Sequence, residues 1–383
     1  MNQAENMSGF GAVENAFEEA VSSGVFPGAV LLVSAGGRIV YHRAFGHRSL
    51  EPEVTPVHDG TIYDVSSLTK PIATTTAFLL LIKERKLKLD DRVTRLFHNF
   101  GVYGKTHITF RHLLAHNSGL AAWRPYYKEV LKVERGGRVN FLATHGAKEF
   151  VYDMVQRERP EHPPGQVTAY SDLNFMLLGQ AIENVSGLTL DRYCHDRIFK
   201  PLGLRSTSFI DLSLLRTRRL VPVTEMIAPT ERCPWRKKIL CGEVHDDNAF
   251  AMGGVAGHSG LFAAARDLDV VVSKLRDCYH GRDDFLPTDL VREAFTRDRA
   301  VAGSTRALGW DTPSSRGSQA GSRFSKTTVG HLGFTGTSLW LDLERDVHVI
   351  LLSNRVHPTR ENDRIKAFRP VVHDLILDLV GVT

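Results

Sequence analysis

The sequence predicts an α/β (α+β) chain, with one sheet assembled from both chain ends and a mostly helical stretch inserted between them. Three observations carry this. Residues 29–45 form two strand-like runs around a Gly-Gly turn, the pattern of a β-hairpin. Residues 327–353 are again rich in β-branched and aromatic side chains. From Ser67 to about Arg219 the pattern is mostly helical instead. The expected division is a discontinuous sheet domain, 1–66 with 245–383, and a mostly helical domain, 67–244.

Taken in order, Phe10, Val13, Phe17 and Val21 recur at helical spacing, and Gly24 follows as a stop. Ala29 to Ser34 and Arg38 to Phe45 flank Ala35-Gly36-Gly37 and read as paired strands. Ser67 to Lys83 reads as one long helix, with Pro71 tolerable only because it falls in the first turn. Thr109 is placed to cap a helix carrying Phe110, Leu113 and Leu114. Pro160, Pro163, Pro164 and Gly165 mark a loop; Ser171 then starts a helix that Gly187 ends. Thr327 to His331, Ser338 to Leu343 and Val347 to Ser353 are strand-like, with a turn at Glu344-Arg345-Asp346. A last helix is expected from about Glu361 to Leu379. Repeats, low-complexity tracts and flexible linkers are not visible.

The chain has 383 residues, 48 Lys+Arg against 43 Asp+Glu, and a formal net charge of +5, which suits a globular protein with a large core. Its cations sit in short clusters alternating with acids, so solvated helix faces are expected rather than a nucleic-acid surface. Cys194, Cys233, Cys241 and Cys278 lack the density of a disulfide framework and the CxxC spacing of a zinc ribbon. The first residues, MNQAENMSGFG, have no basic or apolar leader pattern, and the apolar run Ala77 to Ile82 is too short to span a bilayer. A cytoplasmic location with no membrane partner is expected, or a periplasmic one if a leader preceded this sequence.

Ser67-Leu68-Thr69-Lys70 places a hydroxyl and an amine on one helix face. A serine becomes nucleophilic only when a nearby base takes its proton, and an uncharged lysine can do so. Alone, the pair reads better as a helix cap, Ser67, and a solvated first-turn residue, Lys70. Tyr170-Ser171-Asp172 follows a Pro/Gly loop, and His331-Leu332-Gly333 ends a strand-like run before Phe334-Thr335-Gly336-Thr337. With these three motifs in this order the chain resembles the serine β-lactamase and penicillin-binding protein superfamily, in its class C-like branch with D,D-peptidases and esterases. Ile108 to Leu114 with Ser118-Gly119-Leu120, and Gly253 to His258, add to the likeness, which runs from about Phe26 to Asp378.

The resemblance implies an antiparallel sheet of about five strands flanked by helices, an inserted helical domain, and a site in the groove between. It implies that Ser67 forms an acyl-enzyme and that Lys70 and Tyr170 share proton transfer. The backbone N–H groups of Ser67 and Phe334 would hold the oxyanion. His331 would line the strand side of the pocket. Two departures stand out. Asp172 replaces an asparagine; a carboxylate cannot donate to a substrate carbonyl, and beside Lys70 it favours the ammonium, shifting the base role toward Tyr170. Leu332 replaces the hydroxyl residue that helps bind a substrate carboxylate, and His331 is a weaker cation than lysine. Both shift the expected substrate from β-lactams toward uncharged small esters, amides or lactones.

Several residues keep bland alternatives. Tyr170 and His331 could be structural, Asp172 could cap its helix, and Trp123 with Tyr126 and Tyr127 could shape the acyl pocket or simply pack. His112 and His116 stand at i and i+4 but lack the glutamate of a zincin. His245-Asp246-Asp247 reads as a hydrogen-bonded loop and His258 as part of the pocket wall, so no metal is expected. Phosphate-cradling glycine motifs are lacking too, so no cofactor is expected. The functional expectation is a serine hydrolase, carboxylesterase-like, ahead of a D,D-carboxypeptidase or β-lactamase. A degenerate member that binds or traps a ligand without turnover is the rival class. Gly333, Leu332, Asp172 and Trp123 are the expected substrate contacts; oligomeric state is left open.

Overall fold

The computed structural model describes residues 9–137 and 140–380; residues 1–8, read above for a leader, lie outside this range. The first helix, α1 (Gly11–Ser22), turns its Val13, Phe17 and Ala20 face inward, and Gly24 (φ 72°) follows it as a left-handed stop. Strands β1 (Gly28–Ala35) and β2 (Arg38–Ser49) are joined by Gly36 and Gly37, both at positive φ, as a two-residue primed turn requires. Short strands β3 (Thr55–Pro56) and β4 (Tyr63–Asp64) follow.

The expected long helix after Ser67 is a composite. A 3₁₀ turn covers Ser66–Leu68, a wider π-helical turn covers Lys70–Thr75, and regular α2 covers Thr76–Lys83. Pro71, which has no N–H to give, lies in that wide turn. Thr109 caps α3 (Phe110–Leu114), and Ser171 caps α4 (Asp172–Ser186), which ends at left-handed Gly187 (φ 71°). Strands β5 (Thr207–Phe209) and β6 (Leu261–Ala263) form a three-stranded sheet with β4, in the order β4-β6-β5. Helix α5 (Ala265–Tyr279) precedes β7 (Val329–Leu332), β8 (Ser338–Asp342), β9 (Val347–Ser353) and the terminal helix α6 (Ile365–Val380).

The main sheet has the order β3-β2-β1-β9-β8-β7, antiparallel throughout: the five strands expected plus the two-residue β3 at an edge. The two chain ends meet where β1 pairs with β9, Leu31 opposite Leu351. Alternation along β1 then sorts its residues. Leu31 and Val33 join the apolar layer under α1 and α6, with Phe17, Val372 and Ile376. Val30 and Leu32 face a larger core that continues through α5 into the helical stretch, with Leu268, Val271 and Phe78. This second face brings β7 against the turn that carries Ser67. No helix among the described residues is long and apolar enough to cross a membrane.

Candidate active site

Ser67 stands at the joint between β4 and the π-helical turn. Two features pin this joint. The buried Asp64 carboxylate accepts the N–H of Ser66 (2.8 Å) and of His245 (2.7 Å). Ser66 itself takes a positive φ of 51°, a conformation side chains rarely adopt, so the chain turns sharply just before Ser67. From the strand side, the hydroxyls of Thr335 and Thr337 donate to the carbonyls of Asp64 (2.7 Å) and Val65 (3.1 Å). Gly333 is required between them, because a Cβ there would collide with Thr337 Oγ1 and the Val65 carbonyl.

Lys70 is 0% exposed, and its Nζ has three oxygen neighbours at hydrogen-bond range: Ser67 Oγ (3.0 Å), the His258 carbonyl (3.0 Å) and Asp172 Oδ1 (2.8 Å). Three acceptors suit an ammonium with three N–H donors. Burial by itself disfavours the charge, but the Asp172 carboxylate and then Tyr170 outweigh it, leaving Lys70 above the ordinary lysine range.

Tyr170 comes from the loop before α4. Its ring lies 4.6 Å from the His116 ring and 5.8 Å from that of His331, with Lys70 Nζ and the Arg306 guanidinium each 4.8 Å from its centre. Its hydroxyl is buried and has no hydrogen-bond partner among the described residues. Burial raises its pKa most; Lys70 opposes and Asp172 adds, and the net shift is upward. His331, on β7, is pushed well below the ordinary histidine range by burial and then by Lys70 and Arg306, so its imidazole is neutral. The Leu332 carbonyl lies 2.9 Å from His331 Nδ1, which assigns the proton to Nδ1 and the lone pair to Nε2. The shift of base character toward Tyr170 expected from Asp172 therefore meets a counter-effect: burial holds the phenol neutral while the carboxylate holds the amine charged.

These groups border a cavity of about 460 Å³. Ser67, Tyr170, Asp172, His331, Leu332, Gly333, Phe334 and Trp123, all singled out from sequence, line it together. Trp123 and Phe334 stand at its mouth, 43% and 51% exposed. The Phe334 N–H donates to Ser66 Oγ (3.3 Å), beside the nucleophile candidate. Lys70 lies beneath, reaching the cavity through Ser67 and Asp172. Asp172 occupies the first position of α4, yet its partner is Lys70, and Ser171 is the residue that caps the helix (3.3 Å to the Asn174 N–H).

Other expectations resolve locally. His112 Nδ1 sits in a capping box with Thr109, whereas His116 Nδ1 accepts the Ser171 N–H (3.0 Å), so the pair spaced like a zincin motif serves two backbone roles. Tyr126 is buried and bonded to Glu158 (2.9 Å), and Tyr127 stacks on Trp235, leaving Trp123 alone of the three at the cavity. Asp246 caps a short helix through the Ala249 N–H (2.7 Å) and pairs with His258 Nε2 (2.9 Å), and both also line the cavity. Asp172, Asp246 and His258 present ligand atoms within 4.8 Å of one another, a set that could hold a divalent ion. Lys70 already supplies a positive charge to that set at 2.8 Å from Asp172.

Five lining residues escaped the sequence reading: Ser66, Ser259, Arg360, and Arg306 with Asp311, an ion pair at 3.2 Å. For Ser66 the adjacent serine pair was the available signal. For Arg306 and Asp311 the sequence offers none, since neither lies in a recognisable motif.

Comparison with known proteins agrees with this architecture. The Beta-lactamase family profile matches residues 13–371. A protein of Escherichia coli (strain K12) named "Putative D-alanyl-D-alanine carboxypeptidase" is 32% identical over 353 residues, covering 87% of this chain and 79% of that one. A protein of the same name from Salmonella heidelberg (strain SL476) is 30% identical, covering 89% and 81%. Among solved structures, EstCE1, described as a hydrolase with promiscuous acyltransferase activity, superposes with a TM-score of 0.74 at 22% identity, over 97% of this chain and 99% of that one. The octameric penicillin-binding protein homologue from Pyrococcus abyssi reaches 0.70 at 21% identity, over 94% and 77%. At those identities the superpositions speak for the fold alone. The profile and the curated relatives speak for descent, and by both the chain belongs to the beta-lactamase family of serine hydrolases.

Proposed function

We propose that this protein hydrolyses small acyl compounds through an acyl-enzyme on Ser67, with uncharged esters, amides or lactones as its preferred substrates. The observation that carries the reading is the contact of Lys70 Nζ with Ser67 Oγ at 3.0 Å at the base of the cavity, with the Tyr170 ring centre 4.8 Å from the amine. At rest the set holds a Lys70 ammonium, a neutral Tyr170 and an Asp172 carboxylate. One proton must leave the Lys70–Tyr170 pair before Ser67 can attack. The Ser67 proton then passes to that pair and on to the leaving group as the Ser67–acyl bond forms and the substrate bond breaks. Water, losing its proton to the same pair, cleaves the acyl-enzyme. The N–H groups of Ser67 and Phe334 receive the carbonyl oxygen, with Phe334 giving up its bond to Ser66. Neutral His331 presents a lone pair on the strand side.

Substrate preference follows from charge. Asp172 and Asp246 face the cavity, and Leu332 offers no hydroxyl to a carboxylate. A second reading, cleavage of a terminal D-alanine from a peptide, is favoured by Arg306, a cation on the wall that could pair with a substrate carboxylate, and by the names of the curated relatives. The division into a sheet unit (1–66 with 245–383) and a helical unit (67–244), with the site between them, belongs to this proposal.

The test compares rates on a p-nitrophenyl ester, a D-Ala-D-Ala peptide and a chromogenic cephalosporin, each with wild type and Ser67→Ala. The ester is expected to turn over fastest, and Ser67→Ala to lose about 10³-fold or more. A faster peptide would transfer the assignment to the carboxypeptidase reading. Covalent labelling of Ser67 without turnover would make the protein a ligand trap.

A further inference from the structure

Behind the strand wall of the cavity lies a buried cation that the mechanism above does not use. Arg369, on α6, is 5% exposed, and no carboxylate pairs with it among the described residues. Its Nη2 donates instead to two backbone carbonyls, Gly333 (3.3 Å) and Thr337 (2.8 Å), while its Nε is buried with no partner among the described residues. A second guanidinium, Arg355, adds a bond from Nε to the Phe334 carbonyl (2.9 Å). Burying a guanidinium without a counter-ion is unfavourable, so the place where its donors go calls for a reason.

That place is the loop 333–337. The Gly333 carbonyl and the Phe334 N–H belong to one peptide unit. A cation on the carbonyl draws electrons from the nitrogen and strengthens the N–H as a donor. It also fixes the plane of the peptide and hence the aim of the N–H. The helical side of the loop is already fastened by Thr335 and Thr337 to Asp64 and Val65. Arg369 fastens the opposite side.

We infer that Arg369 is a positioning residue for oxyanion stabilisation, holding and polarising the Gly333–Phe334 peptide so that the Phe334 N–H meets the developing negative oxygen. This rests on the acyl-enzyme reading above. It adds a residue more than thirty positions downstream of the third motif, on a helix that does not touch the cavity.

The test uses the full chain with Arg369→Lys and Arg369→Gln, measuring kcat and KM on a p-nitrophenyl ester. It also measures the inhibition constant of phenylboronic acid, whose boron accepts an electron pair from Ser67 Oγ and places an oxygen in the oxyanion position. For Arg369→Gln, kcat is expected to fall about tenfold or more and boronate binding to weaken by a like factor, with KM within about twofold. Arg369→Lys should recover part of both losses. Val372→Ala, on the same helix and buried in the layer away from the cavity, should lower Tm while leaving kcat and boronate affinity intact.

Folded Arg369 variants with wild-type kcat and boronate affinity would overturn the inference, and so would matching losses in Val372→Ala, which would mark a general structural effect. Should neither Arg369 variant fold, the Phe334 amide proton of the wild type is followed by NMR on boronate binding, and the absence of a downfield shift overturns the inference. Ser67→Ala with residual turnover would instead sink the underlying acyl-enzyme reading, so the two failures are distinguishable.

Discussion

Two lysines of this protein are both shielded from solvent and differ in whether a carboxylate bonds the amine. Lys70, at the cavity, and Lys105, in the segment before α3, are both 0% exposed. Lys70 meets a carboxylate at 2.8 Å and is raised above its ordinary pKa. Lys105 bonds the carbonyls of Gln156 (2.5 Å) and Glu158 (2.7 Å), with the Phe100 ring 4.4 Å from its Nζ, and burial, only partly offset by the Glu158 carboxylate, pulls it down to about 8. Those carbonyls close the helix His145–Arg157, so Lys105 caps a helix C-terminus. Burial alone does not set the charge of a lysine; the formal charge of its partners does.

Lys70→Ala breaks the comparison most severely. Acylation of Ser67, followed by intact mass with an ester donor, should slow about 10³-fold or more, with the fold retained by circular dichroism. Tyr170→Phe should cost about 10²-fold in the same assay. If Tyr170→Phe acylates at the wild-type rate while Lys70→Ala is dead, the phenol has no part in proton transfer.

Asp172→Asn makes Lys70 more like Lys105. In the wild type both proton-transfer candidates lie above their ordinary pKa values, so kcat/KM should climb with pH through the alkaline range. Removing the carboxylate takes away what favours the ammonium, so the rising limb should move toward lower pH by about one unit or more. A limb that stays in place would show that the Asp172–Lys70 pair does not govern the rate.

The smallest effect on activity belongs to Lys105→Met, with kcat within about twofold of wild type. Its effect is on stability, at about 1–3 kcal/mol by urea unfolding, because two helix-end carbonyls lose their donor. The pH signature is specific. Lys105 has a folded pKa near 8 against an ordinary 10.5, so the unfolded chain binds more protons between those values and wild-type stability gains as pH rises through them. The methionine variant should lack that gain.

The fold was legible wherever a local rule decided it. Gly36-Gly37 specified the hairpin, Ser171 and Gly187 bounded α4, and Thr109 capped α3, each by backbone chemistry within a few residues. The long helix after Ser67 was legible only as helical, since its periodicity does not separate a 3₁₀ or π turn from an α turn. In the cavity wall, the motif residues announced themselves by their company, whereas Arg306, Asp311 and Ser66 are ordinary in their local sequence. Arg369 is the extreme case: an arginine on the terminal helix whose donors end on carbonyls of the loop between β7 and β8, a contact no local pattern specifies.

Sequence by itself determined which chemical groups this protein owns and how each short stretch bends, because propensity, capping and turn geometry act within about one turn of chain. Tertiary structure alone decided the charges those groups carry. Asp172 lies about a hundred residues from Lys70 and still holds its proton in place, and Arg306 lies farther still from Tyr170. The physical reason is that electrostatic energy depends on separation through space and on the water excluded between charges, neither of which is set by distance along the chain.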